Sequence, residues 1–191
     1  MKLIYSSKKG NQMYKGEKVV LRALEISDLD EIMKYWNNID LRRELGEVIP
    51  HSKDQRKEWI EKCWKEAEEG KTYTFAIVEK ESDKFLGICS LNNVRHINRS
   101  AKVSIAIYDK NQRGKGFGTD AMRLLLKIGF DFLNLHRIAL NVFETNKAAI
   151  RVYEKVGFKK VGLHRETDFV DGRYVNDVAM DILENEWREK K

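Results

Sequence analysis

The sequence predicts a mixed α/β (α+β) domain with a largely antiparallel central sheet of about seven strands, flanked by about four helices. Three observations lead there. Strand-like and helix-like segments follow the order β-αα-βββ-α-β-α-ββ, so several strands succeed one another without a helix between them. A doubly wound parallel sheet does not allow that order. The helical segments each carry one apolar stripe, as helices laid on a sheet face require. The chain has 191 residues, 42% apolar and 35% charged, which suits one substantial core.

Residues 1–13 read as a polar N-terminal extension, and residues 14–191 as a single domain. Lys18 to Leu24 reads as the first strand. Ser27 then offers a helix cap, with Leu29, Ile32, Met33 and Trp36 on one face. After a loop from Gly46 to His51, Ser52 and Gln55 have capping-box spacing. The helix they open carries Trp59, Ile60, Cys63, Trp64 and Ala67, and Gly70 is its stop. Tyr73 to Glu79 and Phe85 to Leu91 are strand-like runs joined by a charged turn. Ser100 to Tyr108 is another, leading into a glycine-rich loop. The following helix shows Ala121, Leu124, Leu125, Ile128 and Phe132 at i, i+3, i+4 spacing and ends near Asn134. Arg137 to Phe143 alternates like a strand. Asn146 to Val156 forms a short helix closed by Gly157, and Phe158 to Leu183 makes a hairpin across Asp171-Gly172.

Composition narrows the function classes. No apolar run approaches the ~18 residues of a membrane helix, and the start lacks the apolar segment and cleavage site of a signal peptide. A cytoplasmic protein is expected. Cys63 and Cys89 fall on apolar positions and read as buried free thiols. The four histidines show no metal-ligand spacing, so no metal is expected. The net charge of +6 is dispersed among 30 acidic residues, which fits solvated helix faces better than a nucleic-acid stripe.

The chemistry concentrates in Arg113-Gly114-Lys115-Gly116-Phe117-Gly118-Thr119, between a strand and an amphipathic helix. Three glycines leave the backbone bare where a helix N-terminus presents unpaired amides and a positive dipole end, so the loop is an anion seat. A dinucleotide fingerprint fails, because Thr119 stands at its last glycine and no acidic residue follows at the right distance. The G-x-x-x-x-G-K-[ST] loop of nucleoside-triphosphate enzymes is absent.

The spacing Arg113-x-x-Gly116-x-Gly118 resembles the acyl-CoA pyrophosphate loop of the GNAT superfamily of N-acetyltransferases. The segment Asn146-Lys-Ala-Ala149-Ile150-Arg-Val-Tyr153-Glu-Lys-Val-Gly157-Phe158 is similar to the second half of the same cofactor site. Asn146 and Tyr153 are seven residues apart, about two helical turns, and share one helix face. Leu21-Arg22-Ala23-Leu24 and the tail from Gly162 to Met180 resemble the branch containing ribosomal-protein N-terminal acetyltransferases and spermidine acetyltransferases.

The resemblance implies a GNAT-like sheet in which the strand ending at Ile107 splays from its neighbour. Its amides at Ile105 and Ile107 would bind pantetheine and polarise the thioester, each such donor being worth ~3–4 kcal/mol of barrier. It further implies acetyl-CoA as cosubstrate, held by Arg113, Gly114, Lys115, Gly116, Phe117, Gly118 and Thr119 at the pyrophosphate and by Asn146 and Ala149 along the arm. Tyr153 would protonate the departing thiolate. The glutamate that many family members carry on the strand before the loop has no counterpart, since Val103 to Tyr108 holds no carboxylate. Glu47 and Glu144 read as surface residues. Without a base, an α-amine of pKa ~8 is a better acceptor than a lysine side chain of pKa ~10.4.

The expected function is acetyl transfer to a primary amine, whether a protein N-terminus, a polyamine or another small amine. The partners implied are that small-molecule or peptide acceptor, with a ribosomal protein and a second copy of the chain as further candidates, and neither membrane nor nucleic acid. The alternative is an acyl-CoA-binding sensor or partner-binding module without catalysis. Trp36, Trp59 and Trp64 are candidates to line the acceptor wall, though their spacing also suits core packing. Glu44, Glu47 and Glu166 are candidates to attract a cationic acceptor.

Overall fold

A computed structural model describes residues 14–189, so the extension anticipated at 1–13 lies outside the described residues. Seven strands are β1 (Val19–Ala23), β2 (Tyr73–Glu79), β3 (Phe85–Arg95), β4 (Ser100–Ile107), β5 (Arg137–Phe143), β6 (Lys159–Val170) and β7 (Arg173–Leu183). They form one sheet in the order β1-β2-β3-β4-β5-β7-β6, in which β4 and β5 are the one parallel pair. The helices are α1 (Leu29–Trp36), α2 (Ile39–Glu44), α3 (Lys53–Glu68), α4 (Phe117–Lys127), α5 (Lys147–Val156) and α6 (Glu184–Arg188). The mixed, mostly antiparallel sheet is the one that the element order predicts. Helices α2 and α6 are additions, too short to show a helical period in the sequence.

The sheet has two apolar faces. On one, α4 and α5 cover Val19, Leu21, Leu91, Val103 and Ile138. On the other, α1 and α3 cover Leu24, Ala76, Phe85 and Ile88. Strand alternation divides β4 between them: Ile105 and Ile107 pack with α4 and α5, whereas Ala106 and Tyr108 pack with α1 and α3.

Local chemistry sets the element ends. Ser52 Oγ accepts from Gln55 N at 3.1 Å while Gln55 Oε1 accepts from Ser52 N at 2.8 Å, completing the capping box that opens α3. Gly157 closes α5 in the left-handed conformation, at φ 118°. The β6–β7 turn places Asp171 and Gly172 both at positive φ, as a two-residue hairpin requires. Two elements depart from their sequence pattern. Ser27 caps no helix: it lies inside a 3-10 turn at Ile26–Asp28 entered from Glu25, and Asp28 precedes α1. The helical period puts Phe132 on the buried face, yet it is 46% exposed and Phe130 is buried instead. The cause is a π-helical turn at Ile128–Phe132, whose wider turn shifts the register of the face and stacks Phe130 on Trp187.

Candidate active site

The sheet opens at its one parallel pair. Bridges between β4 and β5 run from Ser100↔Arg137 to Lys102↔Ala139 and go no further, although both strands continue. On its other side β4 stays paired with β3 as far as Ile107↔Gly87. Tyr108 N–H donates to Leu86 O on β3 at 2.9 Å, so the amides of Ala106 and Ser104 point the same way. The amides of Ile105 and Ile107 therefore point into the opening, past the last bridge. That is the splay the resemblance implies, and β5 supplies it by diverging toward β7, with which it pairs along its whole length.

The glycine-rich loop borders the same opening. Gly114 and Gly116 sit at φ 77° and 91°, a region that L side chains avoid, and Gly116 is the N-cap of α4. From Gly114 to Thr119 no amide has a backbone acceptor among the described residues; the next one, Asp120 N, donates to Gly116 O. Consecutive free amides at a helix N-terminus make a receptor for an anion. Two contacts fix the loop. Lys18 Nζ donates to Lys115 O at 2.7 Å. Asp120, buried, accepts from the amides of Glu17, Lys18 and Val19 at 3.2, 2.7 and 3.0 Å, tying the start of β1 to α4. The Arg113 side chain turns back from the loop: Nε donates to Ile107 O at 3.0 Å and Nη1 to Glu44 Oε1 at 2.9 Å. It clamps the end of β4, and only its backbone belongs to the loop.

Across the opening, Asn146 caps α5, with Oδ1 accepting from Ala149 N at 3.0 Å. Ala149 and Tyr153 lie one and two turns on, in the same apolar cluster as Ile105, Ile107 and Phe117. The Tyr153 ring meets Phe158 edge-on at 5.8 Å. Its hydroxyl has no hydrogen bond among the described residues, and burial pushes its pKa up to about 12. The glycine loop and the amides of Ile105 and Ile107 border the opening, Ala149 and Tyr153 share the apolar cluster of Ile105 and Ile107, and the Arg113 side chain is turned away.

A cleft of about 270 Å³ lies on the opposite face of β4. It is lined by Ser104, Ile105 and Ala106 of β4, by Ser90 and Asn92 of β3, and by Trp36, Trp59, Cys63, Glu66 and Tyr108. Ser104 Oγ lies 2.7 Å from Ser90 Oγ and accepts from Asn92 Nδ2 at 3.1 Å. Trp36 and Trp59, packed in the core under α1 and α3, at the same time line the wall of this cleft. Trp64 does not: it is part-exposed, its indole N–H bonded to Leu24 O at 2.7 Å. None of the three glutamates proposed to attract a cation lines this cleft. Glu44 pairs with Arg113 and Glu47 with Arg42, while Glu166 is exposed on β6, its backbone N–H bonded to Asn176 Oδ1 at 2.8 Å. Glu144 Oε1 accepts from Asn176 Nδ2 at 3.0 Å.

Sequence reasoning missed the residue behind that wall. Arg56, 2% exposed, places its guanidinium carbon 3.7 Å from the Trp36 ring centroid and 3.8 Å from that of Trp59, the two indoles being tilted by 25°. Its Nε and Nη2 are buried without a hydrogen-bond partner. Desolvation pushes its pKa down to about 10. Arg42, also buried, has its guanidinium carbon 5.0 Å from the Trp36 ring centroid and is bonded to Ile49 O. Glu47 Oε2 lies 2.9 Å from Arg42 Nη1 but off its N–H axes, an ion pair without a hydrogen bond. The signal was present in the sequence, since Arg56 occupies the same stripe as Ile60 and Cys63.

Comparison with known proteins assigns the arrangement. The family model described as an acetyltransferase (GNAT) domain matches residues 18–159. A spermidine N(1)-acetyltransferase of Vibrio cholerae is 32% identical over 172 residues, covering 90% of this chain and 96% of that protein. The uncharacterized N-acetyltransferase p20 of Bacillus licheniformis is 29% identical over 173 residues, again 90% of this chain and 96% of that one. A crystal structure of the Vibrio cholerae spermidine N-acetyltransferase, in complex with CoA and spermine, aligns with a TM-score of 0.81 at 30% identity. It covers 89% of this chain and 98% of that chain. With an opened β4–β5 pair, a bare glycine loop and a family model spanning most of its length, this chain belongs to the GNAT acetyltransferase family and is an N-acetyltransferase.

Proposed function

We propose that this protein transfers the acetyl group of acetyl-CoA directly to a primary amine, with Tyr153 as the general acid. The observation that carries this reading is the end of β4–β5 pairing at Lys102↔Ala139, which aims two strand amides into an opening bordered by the glycine loop. The free amides from Gly114 to Thr119 suit a pyrophosphate. Asn146 keeps its Nδ2 for the pantetheine arm while its Oδ1 caps α5. The amides of Ile105 and Ile107 stabilise the oxyanion that forms when the amine nitrogen attacks the thioester carbonyl. As the C–S bond breaks, the Tyr153 hydroxyl gives its proton to the sulfur, and the ammonium proton of the new amide returns to the phenolate or to water. The amine arrives through the cleft between β4 and α3.

A titration with CoA and a thiol-release assay with acetyl-CoA test the reading together. CoA binding with release of thiol against polyamines, peptides with free N-termini or amino acids is expected. Failure to bind CoA would remove the site assignment. Binding without turnover by any of these amines would favour the sensor alternative. Asn146 separates structure from binding. Asn146→Asp keeps the cap and is expected to hold thermal stability while raising KM for acetyl-CoA. Asn146→Ala also loses about 1 kcal/mol in denaturant unfolding.

A further inference from the structure

We infer that the acceptor amine also carries a carboxylate, and that Arg56, held between Trp36 and Trp59, is the residue that selects it. The inference rests on the acetyl-transfer reading above and adds the acceptor class. The guanidinium carbon lies over both indoles, 3.7 and 3.8 Å from their centroids, so hydrogen bonding is left to the nitrogens at its edge. The two nitrogens without a partner, Nε and Nη2, are the pair whose N–H bonds run parallel along one edge. That edge matches a carboxylate lying in the guanidinium plane, bonded through both oxygens. A bulkier tetrahedral anion would press its out-of-plane oxygens against the rings.

Packing alone does not explain Arg56. Stacking recovers part of the cost of burying a cation, but the edge donors stay unmet, and among the described residues the one acid acting on the guanidinium is Glu47, itself exposed. The charged and titratable groups that act on it are Tyr108, Cys63, Glu47 and Arg42. Arg42 is a second cation, and Glu47 is committed to it. The local balance therefore lacks a negative charge. Trp36, Trp59, Tyr108 and Cys63 all line the acceptor cleft, so the missing charge belongs on the cleft side. Arg56 is itself 2% exposed and stands behind the residues that line the cleft, so a carboxylate reaches its edge only as the side chains between them shift.

The test compares matched acceptors: amino acids and short peptides with a free C-terminal carboxylate, their amides, and spermidine. Wild-type protein is expected to favour acid over amide by about 30-fold in kcat/KM. Arg56→Gln is expected to reduce that ratio to near one through the acceptor KM, leaving KM for acetyl-CoA unchanged. Arg56→Lys is expected to restore only part of it. Equal use of acid and amide by the wild type, preference for spermidine, or a ratio indifferent to Arg56→Gln would overturn the inference while acetyl transfer stands. Should Arg56→Gln fail to fold, the wild-type ratio decides. Should no acceptor turn over, tryptophan fluorescence of the CoA-loaded protein titrated with each pair decides, and no binding preference for the acids overturns it. Loss of CoA binding would instead strike the acetyl-transfer reading.

Discussion

Tyr153→Phe is expected to lower kcat by about 100- to 1,000-fold, with CoA affinity unchanged and stability altered by less than about 1 kcal/mol. The asymmetry follows from what the hydroxyl touches. It has no hydrogen bond among the described residues, so its removal leaves no partner unsatisfied, and the ring keeps its edge-on contact with Phe158. Burial raises its pKa to about 12. Complete transfer of that proton to a thiolate whose thiol has a pKa of ~8.5 is uphill by about 5 kcal/mol. The role proposed for Tyr153 is therefore one in the transition state, giving its proton as the C–S bond lengthens and taking one back from the acceptor nitrogen. The pH dependence carries the sign. A raised pKa keeps the phenol protonated across the working range, so kcat/KM climbs as the acceptor amine loses its proton and then stays flat to about pH 11. A basic limb below pH 10 that disappears in Tyr153→Phe would contradict the assignment. The same shift makes a stability statement. The folded state holds the proton more tightly than the unfolded chain, so this contribution is full below pH ~10 and is lost as pH rises toward 12. In denaturant unfolding Tyr153→Phe should therefore gain on wild type by about 1 kcal/mol between pH 8 and pH 11.

What the sequence discloses here depends on how local the cause is. The glycine loop, the Asn146 cap and the Gly157 stop are set by neighbours within a few residues, and each stands where its motif puts it. The opening between β4 and β5 is not local. It arises because β5 holds β7 along its full length while β4 holds β3, a competition among strands far apart in the chain. Family resemblance anticipates it; the residues of β4 alone do not. Phe132 and Phe130 exchange roles because one wide turn at the end of α4 breaks the helical period that read Phe132 as core. Arg56 was passed over because an arginine in a helix with charged neighbours reads as solvated surface, whereas two tryptophans from different helices bury it. The local pattern is explicit about the glycine loop and the α5 cap and silent about the cleft on the other face of β4. That cleft is assembled from α1, α3, β3 and β4 at once.

Gly87→Ala is expected to destabilise the protein by about 3 kcal/mol, a fall in Tm of roughly 9 °C, and to reduce kcat/KM for acetyl-CoA more than the stability loss explains. Gly87 sits where β3 carries an extra residue: Ile77 pairs with Gly87 and Val78 with Phe85, leaving Leu86 outside the ladder. That bulge brings β3 against β4 so closely that a Cβ on Gly87 would overlap the Ala106 carbonyl oxygen and stand 3.2 Å from Ile107 Cα. Both atoms are backbone, so no side-chain rotation relieves the overlap, and the strands must part. The parting falls at Ile107, whose amide the mechanism aims into the β4–β5 opening and whose carbonyl Arg113 clamps. Removing β3 from one side of β4 frees its end to drift into the space that β5 vacates on the other. The oxyanion donors then lose their aim even in molecules that remain folded. Gly162→Ala is the control, since nothing lies within 4 Å of a Cβ there, and it should leave both Tm and kcat/KM as they are. If Gly87→Ala lowers Tm but leaves kcat/KM intact at a temperature where the protein is fully folded, the amide of Ile107 is not positioned by β3 and the oxyanion role falls to other donors.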